Sequence, residues 1–325
     1  MIQSPIFFTL CSNNYLAQAK TLGDSVLATY PDSIFVIGLV DFRDDSIDYS
    51  SFERMQITGF EEIGCPEFEE MLARYNVIEF NTSVKPFYIE YLWRHYGDEH
   101  QIVYLDPDIV VYRPLDHVFM ALDVNSIVLT PMFSMVTEKT SLDELVALRH
   151  GMFNLGFIAL KYSEQSMKLV KWWKERLTTH CLIDKPRGIF VDQKWMDLAP
   201  LLFDEVFILK HPGYNMAWWN FAERKLLDLG DSFAVNNREQ LLCFFHFSGF
   251  KPGSDSITGR SAESQFAYES RPEMRQLGKD YEQKLLANQF DFLSNISPKL
   301  KFYEPKITWR MKSKKMVKKI LKNFF

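Results

Sequence analysis

Residues 102–111 read Ile-Val-Tyr-Leu-Asp-Pro-Asp-Ile-Val-Val. A hydrophobic strand runs into two aspartates separated by one residue. In an extended segment residues i and i+2 point the same way, so Asp106 and Asp108 can converge on one cation. Pro107 fixes its own φ and pushes Asp106 out of helical space, which supports that geometry. Two hard carboxylates with open positions suit Mg²⁺ or Mn²⁺ held jointly with a substrate phosphate. Alone, Asp-Pro-Asp is more often just a turn, so the surrounding sequence has to decide.

Outward from this stretch, apolar runs alternate with helical patterns. Residues 5–11 (PIFFTLC), 33–40 (SIFVIGLV), 101–105 (QIVYL) and 126–129 (SIVL) read as buried strands. Residues 15–30, 66–75 and 86–95 carry apolar side chains near helical spacing, the last two opened by Pro66 and Pro86. Such alternation implies βαβ units and a mostly parallel sheet, hence an α/β fold. Ligands of these sheets bind beyond the carboxyl ends of the strands, which points to 9–14, 41–45 and 106–108. Further along, 153–160 (FNLGFIAL), 203–209 and 241–247 read as strands, and 164–178 and 263–290 as helical. No boundary is expected before about residue 290. One domain over 1–290 and a tail over 291–325 are the expected division.

The composition excludes several classes. Of 325 residues, 47% are hydrophobic, 24% charged and 15% aromatic, an ordinary globular balance with heavy aromatic content. No Lys or Arg precedes Lys20, so the basic start of a signal peptide is missing, and the longest apolar run, 34–40, is far too short to span a bilayer. Cys11, Cys65, Cys181 and Cys243 are widely spaced, with neither a zinc-knuckle nor a CxxC pattern. They are expected to be buried small hydrophobes in a reducing cytoplasmic compartment. The net charge of −5 hides an asymmetry: residues 299–325 hold ten basic residues against Glu304, a net +9, so the rest carries −14 (−5 − 9). An acidic body argues against nucleic-acid binding. In the tail, Met316, Ile320 and Phe324 share a helical face beside Val317 and Leu321, amid six lysines. A basic amphipathic helix of this kind suits an anionic membrane surface.

Three more segments accompany the aspartates: Asn154-Leu155-Gly156 inside a strand, Val191-Asp192-Gln193 before an aromatic-rich helix, and 245–252, FHFSGFKP. The ordered set DxD, NxG, DQ and HxxGxKP over residues 5–255 resembles the GT-A glycosyltransferases. It is most similar to the retaining galactosyl- and glucosyltransferase family that includes glycogenin and bacterial lipooligosaccharide galactosyltransferases (glycosyltransferase family 8). The resemblance implies a Rossmann-like single domain with a mixed, mostly parallel sheet and a C-terminal helical region. It implies that Asp106, Asp108 and His246 hold Mn²⁺ or Mg²⁺, with Asp106 also near the ribose. By the same resemblance, Gly249 and Lys251 approach the diphosphate, and Asn154, Gly156, Asp192 and Gln193 surround the transferred sugar. Thr9, Cys11, Asn13 and Tyr15 match the first-strand loop that cradles the nucleotide, and Lys85 sits where the family keeps a basic residue upstream of its DxD. Asp192, Gln193 and Lys251 are the implied catalytic set. Two departures are Pro107, where the family commonly has Ala, and Gly253, where it commonly has Trp.

The expected function is therefore metal-dependent transfer of a hexose from a nucleotide sugar, a UDP-sugar by resemblance, to a saccharide or glycolipid acceptor with retention. Polysaccharide or lipopolysaccharide biosynthesis would be its setting, with the protein cytoplasmic and peripheral on the inner face of the cell membrane. An inverting enzyme would need a carboxylate base near the acceptor, for which Asp143, Glu144 and Asp192 are candidates. A haloacid-dehalogenase-like phosphatase also ends a strand in DxD, but no later GDxxxD partner is visible. A non-enzymatic, membrane-recruited sugar-nucleotide binder is the remaining class. Tyr214, Trp218 and Trp219 offer an aromatic floor for an acceptor sugar, against the plainer reading of core residues. Asp192 as a helix cap and the histidines other than His246 as structural are the corresponding plain readings.

Overall fold

The computed structural model describes residues 4–136, 142–258 and 267–303. Its centre is a seven-stranded sheet built from β1 (Ile6–Cys11), β2 (Ile34–Leu39), β3 (Gln56–Gly59), β4 (Ile102–Leu105), β6 (Ile127–Pro131), β7 (Phe153–Leu160) and β10 (Val206–Ile208). Strand β5 (Ile109–Val111) leaves the sheet just after β4. The hairpin β8 (Ile183–Asp184) and β9 (Ile189–Phe190), the hairpin β11 (Leu226–Asp228) and β12 (Phe233–Val235), and β13 (Phe244–His246) complete the strands among the described residues. The order across the sheet is β10-β6-β7-β4-β1-β2-β3. Only β7 runs against its neighbours, pairing antiparallel with β4 and β6; the other four pairings are parallel. The alternation of strands and helices implied a mostly parallel α/β sheet, and the family resemblance implied that it would be mixed.

The strands read as continuous apolar runs because both faces of the sheet are covered. Phe7 and Phe8 show the consequence: neighbours on one strand, they belong to separate cores on opposite sides, and both are fully buried. One side is packed by α4 (Lys85–Tyr96) and α7 (Glu164–His180), the other by α1 (Leu16–Thr29) and α5 (Asp116–Val124). Local signals set the helix ends. Asn76 and Glu79 form a reciprocal capping box at α3 (Val77–Ser83). Helix α4 has Pro86 in its first turn and stops at Gly97, whose φ of 116° lies in the region that glycine favours. Ser163 accepts from the Ser166 amide to start α7, which buries Leu169, Val170, Trp173 and Leu177 as one stripe.

Of the region expected to be helical over 263–290, residues 263–266 lie outside the described residues, and the rest holds α9 (Met274–Ala287), with α10 (Phe290–Leu293) after it. Residues beyond 290 then cross the carboxyl ends of β1 and β2. Asp41 anchors them: its Oδ1 accepts from the Lys299 and Leu300 amides at 2.9 and 3.0 Å, and its Oδ2 accepts from Asn13 Nδ2 at 2.8 Å. Phe302 packs on Phe80 and the Tyr303 amide donates to Tyr75 O. The amphipathic stretch expected over 306–325 lies outside the described residues. Among the described residues no helix is long and apolar enough to cross a membrane. The four cysteines form no disulfide; Cys11, Cys181 and Cys243 are buried and Cys65 is half-buried.

Candidate active site

Asp106 follows β4, and its amide continues the pairing with β7 by donating to Gly156 O at 2.8 Å. Strand β5 then pairs antiparallel with β13, placing His246 opposite Ile109. The Phe247 amide donates to Asp108 O and the His246 amide to Met216 O, which fixes the histidine from both sides. His246 Nε2 consequently lies 2.9 Å from Asp108 Oδ1 and 3.7 Å from Asp106 Oδ2. Ligand atoms of the three residues fall within 4.8 Å of one another. Two carboxylates and an imidazole at that separation form an oxygen- and nitrogen-rich donor set that fits Mn²⁺ or Mg²⁺. Without a cation the carboxylates repel each other.

Gly156 makes this approach sterically feasible. A Cβ there would lie 2.5 Å from His246 Cε1 and 2.8 Å from its Nδ1, closer than real Cβ contacts. The glycine of the NxG segment is thus required by close packing of the histidine, and its backbone φ is ordinary.

Beside the cluster a buried polar wall is assembled from distant segments. Lys85 is 1% exposed, and its Nζ donates to Asp192 Oδ2 at 2.6 Å and to Leu155 O at 2.7 Å. Asp192 does not cap the helix after it; its Oδ2 is engaged in this ion pair. Burial pushes the Asp192 carboxyl above its usual range, and Lys85 opposes that rise. Val191, just before, has φ 42°, a strained value for a β-branched residue. Gln193 Oε1 accepts from Asn154 Nδ2 at 3.2 Å and from the Leu155 amide at 3.3 Å, while its Nε2 donates to His150 O at 3.2 Å. The segment 193–198 is a 3-10 helix rather than the α-helix its pattern suggested. Asn154 Oδ1 accepts from the Gly156 amide and from Asn215 Nδ2, each at 3.1 Å.

These groups line one cavity of about 310 Å³, which includes Lys85, Asp106, Asp108, Asn154, Gly156, Asp192, Gln193 and His246. Trp218 and Trp219 also line it, Trp219 edge-on to His246 at 5.0 Å between ring centres. Tyr214, the third aromatic expected there, is buried and its hydroxyl lies 3.1 Å from His117 Nδ1. The remaining expected residues lie elsewhere. Thr9 and Cys11 are buried in β1, and burial, aided by Asp41, pushes the Cys11 thiol well above its usual range. Asn13 is buried, with its amide shared among Asp41, Phe42 O and Tyr49. Tyr15 is exposed at the start of α1. Gly249, with φ 76°, and the exposed Lys251 sit on the loop after His246 and do not line the cavity.

Two contributors escaped the sequence reading. His150 lines the cavity next to Gln193. Tyr104 donates from its hydroxyl to Asp106 Oδ1 at 2.6 Å, and its ring lies 4.1 Å beneath Lys85 Nζ. Burial, reinforced by Asp106, pushes the Tyr104 phenol well above its usual range, so it remains a donor. Its position two residues before Asp106 on the same strand face was the available signal.

No family model matches the chain. Two curated relatives are uncharacterized proteins of Bacillus subtilis (strain 168). YfnF is 28% identical over 179 residues, covering 53% of this chain and 57% of its own length. YfnD is 22% identical over 252 residues, covering 75% and 77%. Similar solved structures include the galactosyltransferase LgtC in complex with donor and acceptor sugar analogs (TM-score 0.48, 13% identity, 90% of this chain and 98% of that one). Another is the glycosyltransferase GlyE of Streptococcus pneumoniae TIGR4 (TM-score 0.49, 14% identity, 91% and 66%).

Proposed function

We propose that this chain is a GT-A, metal-dependent hexosyltransferase. It would move a hexose from a UDP-sugar to a saccharide or glycolipid acceptor with retention. The observation that carries this reading is the meeting of Asp106, Asp108 and His246 in the same cavity as Lys85, Asn154, Asp192 and Gln193. Sugar transfer breaks the bond from C1 to the diphosphate oxygen, forms one from C1 to the acceptor oxygen, and releases the acceptor hydroxyl proton. A divalent cation held by Asp106, Asp108 and His246 would neutralise charge on the departing diphosphate. The polar wall formed by Asn154, Asp192 and Gln193 holds the hexose hydroxyls, and its positions are rigid because each member is hydrogen-bonded. Lys251 approaches the diphosphate as a point charge when its loop meets the donor. Since the Asn13 amide is engaged with Asp41 and Tyr49, the nucleotide loop acts through its backbone and the exposed Tyr15 ring.

Retention is supported by the cavity's carboxylates. Among the described residues only Asp106, Asp108 and Asp192 line it, the first two in the cation cluster and the third paired with Lys85. None of these three is left as a base for a direct displacement, Glu144 does not line the cavity, and the side chain of Asp143 lies outside the described residues.

The test measures UDP release from a panel of UDP-hexoses with Mn²⁺, followed by NMR of the product's anomeric proton. Release with an α-linked product from an α-linked donor is expected. A β-linked product would replace retention by inversion, and no release from any donor despite intact UDP binding would favour a non-enzymatic binder.

The basic tail is proposed to hold the enzyme on the inner face of an anionic membrane, each cation near the surface contributing roughly 1 kcal/mol. A chain ending at Tyr303 keeps the Asp41 anchor, whereas one ending at Ser297 would cut it. The full chain should co-sediment with phosphatidylserine vesicles, and the chain ending at Tyr303 should not. Equal sedimentation of the two would remove the tail from membrane binding.

A further inference from the structure

We infer that Tyr104 is a positioning residue that restricts Asp106 to one oxygen for the cation and so sets which metal the site prefers. The inference rests on reading Asp106, Asp108 and His246 as a metal cluster, and it deepens that reading.

A carboxylate can offer a cation either one oxygen or both. Asp106 Oδ1 accepts the Tyr104 hydroxyl at 2.6 Å, a short bond to a charged acceptor of the stronger class. Its other oxygen, Oδ2, is the one that faces His246 Nε2, at 3.7 Å. The two oxygens are therefore divided, one toward the buried phenol and one toward the cluster.

Tyr104 is itself held in place. Its ring packs edge-on against Phe8 at 4.9 Å and lies beneath Lys85 Nζ, which is tied to Asp192. It is 3% exposed, so its ring and hydroxyl are largely withdrawn from bulk water. The same contacts connect the two halves of the cavity: Asp192 to Lys85, Lys85 to the Tyr104 ring, and the Tyr104 hydroxyl to Asp106.

The metal consequence follows from coordination chemistry. Ca²⁺ takes six to eight oxygens and readily uses bidentate carboxylates, whereas small cations want six ligands in near-octahedral array. A carboxylate with one oxygen committed to a phenol disfavours the first and suits the second. Partners of this kind, one step removed from the metal, commonly change affinity by about 10–100-fold.

The experiment titrates Mn²⁺ into wild type and Tyr104→Phe, alone and with UDP, reading free Mn²⁺ by electron paramagnetic resonance. Ca²⁺ is then used as competitor, and thermal melting is recorded on the same samples. Phe retains the ring contacts with Phe8 and Lys85, so melting should be little changed. Mn²⁺ affinity should fall about tenfold or more, and the preference for Mn²⁺ over Ca²⁺ should narrow. Mn²⁺ affinity within twofold of wild type, with or without a lower melting temperature, would mark Tyr104 as merely structural and overturn the inference. If wild type binds no Mn²⁺ even with UDP present, the metal cluster itself fails and the inference goes with it.

Discussion

Asp108→Asn should lower turnover by about a hundredfold to a thousandfold, equivalent to about 3–4 kcal/mol of transition-state stabilisation. EDTA should abolish wild-type activity, and Mn²⁺ or Mg²⁺ should restore it. The expectation comes from the cluster's geometry. Asp108 is the closer of the two carboxylates to His246 Nε2, 2.9 Å against 3.7 Å, so Asp108 and His246 define the centre of the donor set. Asparagine preserves shape and an acceptor oxygen but removes one of two negative charges. Stability should move the other way or not at all. The wild-type carboxylates repel one another in the absence of cation, so the variant should melt no lower than wild type in EDTA. That pairing of outcomes, activity lost and fold retained, separates a cation site from a structural ion pair. Full wild-type activity in EDTA, or an Asp108→Asn enzyme as fast as wild type, would falsify the metal site.

Much of this architecture can be read from short stretches. Strand β1 and helix α1 are legible because burial on both faces leaves continuous apolar runs and a clear helical stripe. Asp106 and Asp108 are legible because the two-residue repeat of an extended chain is local. What escaped has a different character. The direction of β7, which makes the sheet mixed, is decided by where the chain returns and leaves no mark in FNLGFIAL. The edge strand β3 is four residues long, and its sequence, QITG, carries little apolar signal. His246 reaches the aspartates only because β13 pairs with β5, a contact between segments far apart in sequence. Motif order places Lys251 near a phosphate; in the fold Ser248 of the same loop lines the cavity and Lys251 does not. Residues 290–303 gave no sign that Asp41 would anchor them, since backbone amides donate there and backbone carries no sequence signature. Lys85 and Asp192 were each legible as single residues, but nothing in either segment announces that they are partners.

That pair supports the second large expectation, Lys85→Ala. Removing one member of a buried ion pair strands the other charge and typically costs about 3–5 kcal/mol. Here Asp192 would lose its ammonium partner while 2% exposed, with burial already pushing its carboxyl up. The sign of the pH dependence follows. A carboxyl whose folded pKa is raised above its unfolded value favours the fold below the unfolded pKa and loses that contribution as pH rises through the folded pKa. In Lys85→Ala the influence that lowers the Asp192 pKa is gone, so the deficit should be smallest near pH 4 and grow toward pH 8. Urea unfolding at several pH values reads this directly. The paired replacement Lys85→Met with Asp192→Leu decides why the ion pair exists. Well-packed apolar side chains often equal or exceed a buried ion pair in stability, so the double variant should recover most of the loss. Catalysis should be lost in it, because Asp192 lines the same cavity as the cation cluster and Lys85 sits against both Tyr104 and Leu155 O. A double variant that is both stable and active would show that the pair serves only the fold.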